Sequence, residues 1–181
     1  RLPLWDYRVP GVTSISADIH KYGYAAKGAS TITYRNLDIL KHQMFVYENW
    51  PGGVFASPAL LGTRPGGAYA AAWATLQHFG KDGYRRLAAD TTEAVRRLQA
   101  GIDAIPELVV MARPQGPLLA YRSLDPKVDI FAVGDQMDAR GWQVNRLQKP
   151  EGLHAMVTAN HLQCVDQYLA DLKEAVAIVR A

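Results

Sequence analysis

Residues 12–17 (VTSISA) and 30–34 (STITY) alternate β-branched with small polar residues, a pattern that suits short strands. The stretch between them is rich in Gly, Tyr and Lys, which is turn chemistry, so a hairpin-like platform carrying a lysine-bearing loop is expected. Residues 35–43 suit a short helix, and an irregular segment is expected through Asn49–Pro58, where Pro and Gly interrupt the aromatics. A second glycine-rich loop at 62–67 leads into an alanine-rich helix over 68–79, with Pro65 near its entrance. From 81 to 102, Tyr84, Leu87, Val95, Leu98 and Ile102 recur near helical spacing with arginines between them, which predicts a long amphipathic helix.

After Pro106 the texture changes to short alternations. Strands are expected at 108–112, 118–121, 143–145 and 154–158, with a helix over 130–140. Leu162, Val165, Leu169, Leu172, Val176 and Val179 make one stripe over 161–180, the closing helix on a small sheet. A subdomain boundary is placed near residue 104.

At 49% hydrophobic and 20% charged over 181 residues, the composition is that of a folded domain. The net charge of +3 is mild, and the basic residues are scattered instead of forming a run with interleaved aromatics, which argues against a nucleic-acid partner. The single cysteine, Cys164, excludes an internal disulfide and fits a reducing, cytoplasmic setting. No stretch approaches the roughly 18–20 apolar residues of a membrane-spanning helix, and residues 1–6 (RLPLWD) lack a signal-peptide pattern. The chain opens on what reads as a loop leading into a strand, so preceding residues are expected. No metal is expected.

Two segments carry chemistry. Residues 11–30, GVTSISADIHKYGYAAKGAS, closely resemble the cofactor-lysine segment of the sphingosine-1-phosphate lyases, and residues 57–67, SPALLGTRPGG, resemble that family's second signature. The likeness extends through Trp142 and Asn145 to the last helix. Ala26 stands where the family pattern has proline, which loosens the loop without removing a chemical group. The resemblance implies an α/β protein: residues 1–104 as the end of a fold-type I large domain that binds pyridoxal 5'-phosphate, and residues 105–181 as a small α+β carboxy-terminal domain. It also implies that the phosphate-binding glycine loop, the ring-stacking residue and the aspartate facing the pyridine nitrogen lie upstream of this chain.

By the same resemblance, Lys21 would hold the cofactor as a Schiff base, a role that needs an amine which spends time uncharged. His20 would contact the cofactor phosphate. Thr63, in a glycine-rich turn before a helix, would reach the phosphate of the neighbouring subunit's cofactor. Lys27 would pair with the substrate phosphate or assist proton transfer, while Tyr22 and Tyr24 either line the pocket or pack the loop. Asp18 is expected to fix the loop through local backbone hydrogen bonds. Arg64 either holds an anion or ties subunits together, and His154 and His161 read as structural. The implied activity is cleavage of a phosphorylated sphingoid base to a fatty aldehyde and phosphoethanolamine by a homodimer with a shared active site. An amino-acid decarboxylase of the same fold is the alternative, and a non-catalytic dimerisation module is the reading from another class.

Overall fold

The computed structural model describes residues 3–181; Arg1 and Leu2, which begin the expected entry loop, lie outside the described residues. The chain divides into two compact units, one ending at Gly80 and the other running Lys81–Ala181. The division falls earlier than the boundary placed near residue 104. Val95, Leu98 and Ile102, on the helix that precedes residue 104, are buried in the same apolar cluster as the strands that follow it.

In the first unit, β1 (Ser14–Asp18) and β2 (Ser30–Tyr34) form an antiparallel pair in continuous register from Ser14 opposite Tyr34 to Asp18 opposite Ser30. The alternation of β-branched and small residues has produced the expected hairpin platform. Asn36 caps the one-turn helix α1 (Leu37–Leu40) by accepting from the Ile39 amide at 3.0 Å, and a 3-10 turn continues over Lys41–Gln43. The irregular segment expected next is instead a second hairpin, β3 (Phe45–Trp50) and β4 (Gly53–Ser57). Pro51 and Gly52 make its turn, Gly53 takes φ +102°, and the Phe45, Trp50 and Phe55 rings meet across the ladder. The residues read as breakers therefore serve as a hairpin turn between aromatic strands.

Helix α2 (Gly67–Asp103) is two helices joined at Gly80, whose φ of 56° and ψ of −174° no helix interior can hold. Its first segment, 67–79, belongs to the first unit. Its second, 81–103, starts the second unit.

The second unit has a four-stranded antiparallel sheet in the order β5-β6-β8-β7, from β5 (Leu108–Val110), β6 (Leu118–Ser123), β7 (Asn145–Gln148) and β8 (Glu151–Met156). The last two strands sit two to three residues away from the expected segments. Their ladder runs to the Lys149–Pro150 turn, with Gln148 opposite Glu151, so pairing sets their limits instead of local hydrophobicity. Helix α3 (Ile130–Ala139) is capped by Asp129, and the closing helix α4 (Val165–Arg180) starts three residues later than the apolar stripe would carry it. Thr158 and His161 form a capping box that holds 159–163 as a 3-10 turn, which places Leu162 ahead of the helix. Leu108, Val110, Leu119, Tyr121, Leu153, Val133, Met137, Leu172 and Val176 are all buried in one cluster.

Candidate active site

The site expected from the sequence lies in the first unit, on the loop joining β1 to β2. Four backbone hydrogen bonds shape it. The His20 amide donates to Ala29 O at 3.2 Å, one residue out of the β1–β2 register, and the Lys21 amide donates to Asp18 O at 3.0 Å. The Tyr24 amide then donates to Lys21 O at 2.9 Å, and the Ala25 amide to Ile19 O at 3.1 Å. The chain is thus folded back on itself around Lys21. Gly23 is required at the closest point, because a Cβ there would sit 2.4 Å from Ile19 O.

Lys21 Nζ pairs with Asp18 Oδ2 at 2.7 Å, and its side chain is 64% exposed. Asp18 Oδ1 also accepts a 2.5 Å hydrogen bond from the Ser30 hydroxyl across the strand pair. The Lys21 hydrogen bond first, and the Ser30 hydroxyl second, hold the Asp18 carboxyl below the usual carboxylate range. Sequence reasoning gave Asp18 a backbone role. Its side chain does more, tying the amine of Lys21 to the opposite strand. The signal was present as an acid three residues before the lysine, but only the ladder register shows that Ser30 lies opposite.

His20 is half-buried, and its Nδ1 lies 2.8 Å from Ala29 O. A carbonyl only accepts, so Nδ1 carries the proton and Nε2 is the nitrogen left for an outside partner. Lys27 is exposed at the exit of the loop, next to Gly28 with φ +104° and the buried Ala29. A Cβ on Gly28 would lie 3.2 Å from the Ala68 methyl, so the loop exit runs close to the first turn of α2. That turn follows the 62–67 loop, where Thr63 and Arg64 are exposed; Arg64 donates to Leu61 O at 3.5 Å. Tyr24 packs edge-on against Phe79, with ring centroids 6.1 Å apart. Burial raises the Tyr22 phenol above its ordinary range, with Tyr24 adding to the effect. His20 and Lys21 are therefore brought together on one turn, Lys27 closes the same loop, and Thr63 lies on a separate one.

In the second unit, Trp142 Nε1 donates to Asp171 at 2.7 Å, and its ring meets Tyr168 edge-on. Thr158 donates its amide to His161 Nδ1 at 2.9 Å, which makes His161 a capping group, as expected. Among the described residues no group of three or more His, Cys, Asp or Glu is placed to hold a metal ion. Nor is any helix among them long and apolar enough to cross a membrane.

No family model matches the chain. It is 44% identical over all 181 residues to a sphingosine-1-phosphate lyase of Arabidopsis thaliana, covering 33% of that protein. The solved sphingosine-1-phosphate lyase of Burkholderia pseudomallei superimposes with a TM-score of 0.91 at 43% identity, over 98% of this chain and 40% of that one. The glutamate decarboxylase of Lactobacillus brevis superimposes with a TM-score of 0.80 at 23% identity, a likeness of fold alone. The chain spans about a third of the length of the curated relatives it matches. Its α/β architecture is that of the carboxy-terminal part of fold-type I enzymes.

Proposed function

From a chain that aligns end to end with the carboxy-terminal third of the sphingosine-1-phosphate lyases, we propose a contribution to a pyridoxal-phosphate-dependent carbon–carbon lyase. The complete protein cleaves a phosphorylated sphingoid base to a fatty aldehyde and phosphoethanolamine, and this chain supplies the lysine side of the active site. The single observation that carries the reading is the Lys21 amine, accessible on the loop of the β1–β2 hairpin, steered by Asp18 and preceded by an oriented imidazole.

The donors fit the cofactor: the exposed Lys21 amine for an aldehyde, and for a phosphate the His20 imidazole on the same loop with the Thr63 hydroxyl on the next. When bound, pyridoxal phosphate supplies the electron sink for breaking a bond next to the substrate amine. Lys21 Nζ, once it has given up its proton and left the ion pair with Asp18, accepts and returns protons there, and the Asp18 carboxylate sets its direction. His20 offers Nε2 to the cofactor phosphate, and it donates only as the imidazolium, because its Nδ1 proton is committed to Ala29 O. Thr63 donates its hydroxyl to a phosphate from its own loop, and Lys27 binds the substrate phosphate at the loop exit. Residues 1–104 act as the end of the cofactor-binding domain and 105–181 as the small domain, with the helical segment 81–103 packed into the core of the latter. The protein works as a homodimer in a reducing, cytoplasmic setting, consistent with the free thiol of Cys164.

Borohydride trapping of the full-length protein with pyridoxal phosphate, followed by peptide mapping, tests the reading. Label on Lys21, together with fatty aldehyde released from a sphingoid-base phosphate, is the expected result. Label on Lys21 with carbon dioxide released from amino acids would move the activity to the decarboxylases. An unlabelled Lys21 would leave a dimerisation module.

A further inference from the structure

Tyr24 has φ +58°, the one positive value at a residue other than glycine among the described residues. Side chains with a Cβ are disfavoured in this left-handed region. The chain passes close to Ile19 O at Gly23, and the left-handed step at Tyr24 is followed by the return of the Ala25 amide to Ile19 O. Glycine suits such a step, yet the position holds tyrosine. The hydroxyl of that tyrosine is buried and has no hydrogen-bond partner among the described residues. A left-handed backbone and an unsatisfied buried hydroxyl both run against stability, and such costs concentrate where function requires them.

The ring supplies the compensating contact, packed edge-on against Phe79 on the first segment of α2. The Tyr24 amide is hydrogen-bonded to Lys21 O, so the anchored ring and the lysine backbone are joined by a single 2.9 Å link. Lys21 is then held at two points: its amine by Asp18, and its main chain by Tyr24. We infer that Tyr24 is a positioning residue for Lys21, acting from behind the loop through its ring and backbone. Its hydroxyl does not touch the substrate. The inference rests on the proposed role of Lys21 and replaces a pocket-lining role for Tyr24.

The test compares Y24F, Y24G and Y24A in the full-length protein. Without cofactor, the lysines are labelled competitively with an amine-reactive reagent across a pH series, and Lys149 and Lys173, in the other unit, serve as internal references in the peptide map. Steady-state kinetics follow on the loaded protein. Y24F is expected to keep the labelling profile of Lys21 and kcat within about twofold, since ring and backbone persist. Y24G keeps the left-handed step but loses the anchor; its Lys21 labelling, relative to Lys149 and Lys173, should shift by about tenfold, with kcat falling more than KM rises. Y24A is expected to match Y24G, and if it does not fold, Y24G alone decides. Loss in Y24F equal to that in Y24G would assign the work to the hydroxyl and overturn the inference, as would unchanged Lys21 labelling in Y24G. A wild-type Lys21 that fails to trap pyridoxal phosphate sinks the lyase reading instead, since the labelling ratio reads the position of the amine without any cofactor.

Discussion

His20 illustrates how one hydrogen bond decides the chemistry of a side chain. With Nδ1 donating to Ala29 O, only a charged ring can donate to a phosphate from Nε2. A hydrogen bond to a charged partner contributes about 1.5–3 kcal/mol, so H20A should weaken pyridoxal phosphate binding by about tenfold to a hundredfold. Titration with pyridoxal, which lacks the phosphate, is the control; an equal loss there would remove the phosphate contact. Asp18 carries a second prediction. Its carboxyl is held below the ordinary carboxylate range by Lys21 first and Ser30 next. A depressed acid contributes its tie fully above the ordinary range, and that contribution is lost as the pH falls through the lower folded value. A carbon-detected NMR titration should find Asp18 among the last carboxylates to protonate, and D18N should flatten this part of the acid limb of the unfolding curve.

Among the elements, α3 owes its start to Asp129, whose Oδ1 accepts from the Phe131 amide at 2.8 Å and the Ala132 amide at 3.4 Å. Replacing that cap by alanine typically costs about 1 kcal/mol, so D129A should lower the denaturant midpoint of the second unit with an unchanged slope. The β6–β8 pair depends on Gly152, where an added Cβ would lie 2.8 Å from the Tyr121 carbonyl oxygen. Backbone cannot yield as a side-chain tip can. G152A should therefore destabilise the sheet by about 1–3 kcal/mol, seen as a drop in Tm, whereas an unchanged Tm would mean that the strands shift freely. The β3–β4 hairpin was missed in the sequence because Pro, two Gly and Asn read as loop chemistry. The same residues are what a tight turn between aromatic strands uses.

Over the whole molecule, the burial is uneven. The cluster that forms the core lies entirely in the unit Lys81–Ala181, whereas Ala29 and Ala72 are the only buried hydrophobic residues of the first unit among those described. Phe45, Val54, Leu61 and Trp73 of the first unit are all more than half exposed. Residues 81–181 expressed alone are expected to unfold cooperatively in denaturant, and residues 1–80 alone are not; a cooperative transition for 1–80 would refute this. Alkali should act on the second unit through Tyr121, whose hydroxyl shares a 2.6 Å hydrogen bond with that of Tyr168. Burial first, and Tyr168 next, push the Tyr121 phenol well above its ordinary range, and burial also raises Tyr168. The folded state therefore keeps protons that the unfolded chain releases, so stability falls as the pH rises past the ordinary tyrosine value of about 10. Y121F should shallow that alkaline limb while costing about 1–3 kcal/mol at neutral pH, because it strands the Tyr168 hydroxyl.

Local pattern was enough for the β1–β2 hairpin and the helices over 68–79 and 81–102, because alternation and helical spacing are properties of neighbouring residues. Tertiary structure alone decided the rest: that Ser30 faces Asp18, that Tyr24 turns left-handed against Phe79, that the compact units part at Gly80, and that strand pairing moves β7 and β8 off their hydrophobic segments. Each of these is set by atoms distant in the chain, whose steric and hydrogen-bonding demands outweigh any preference that a short window of sequence can express.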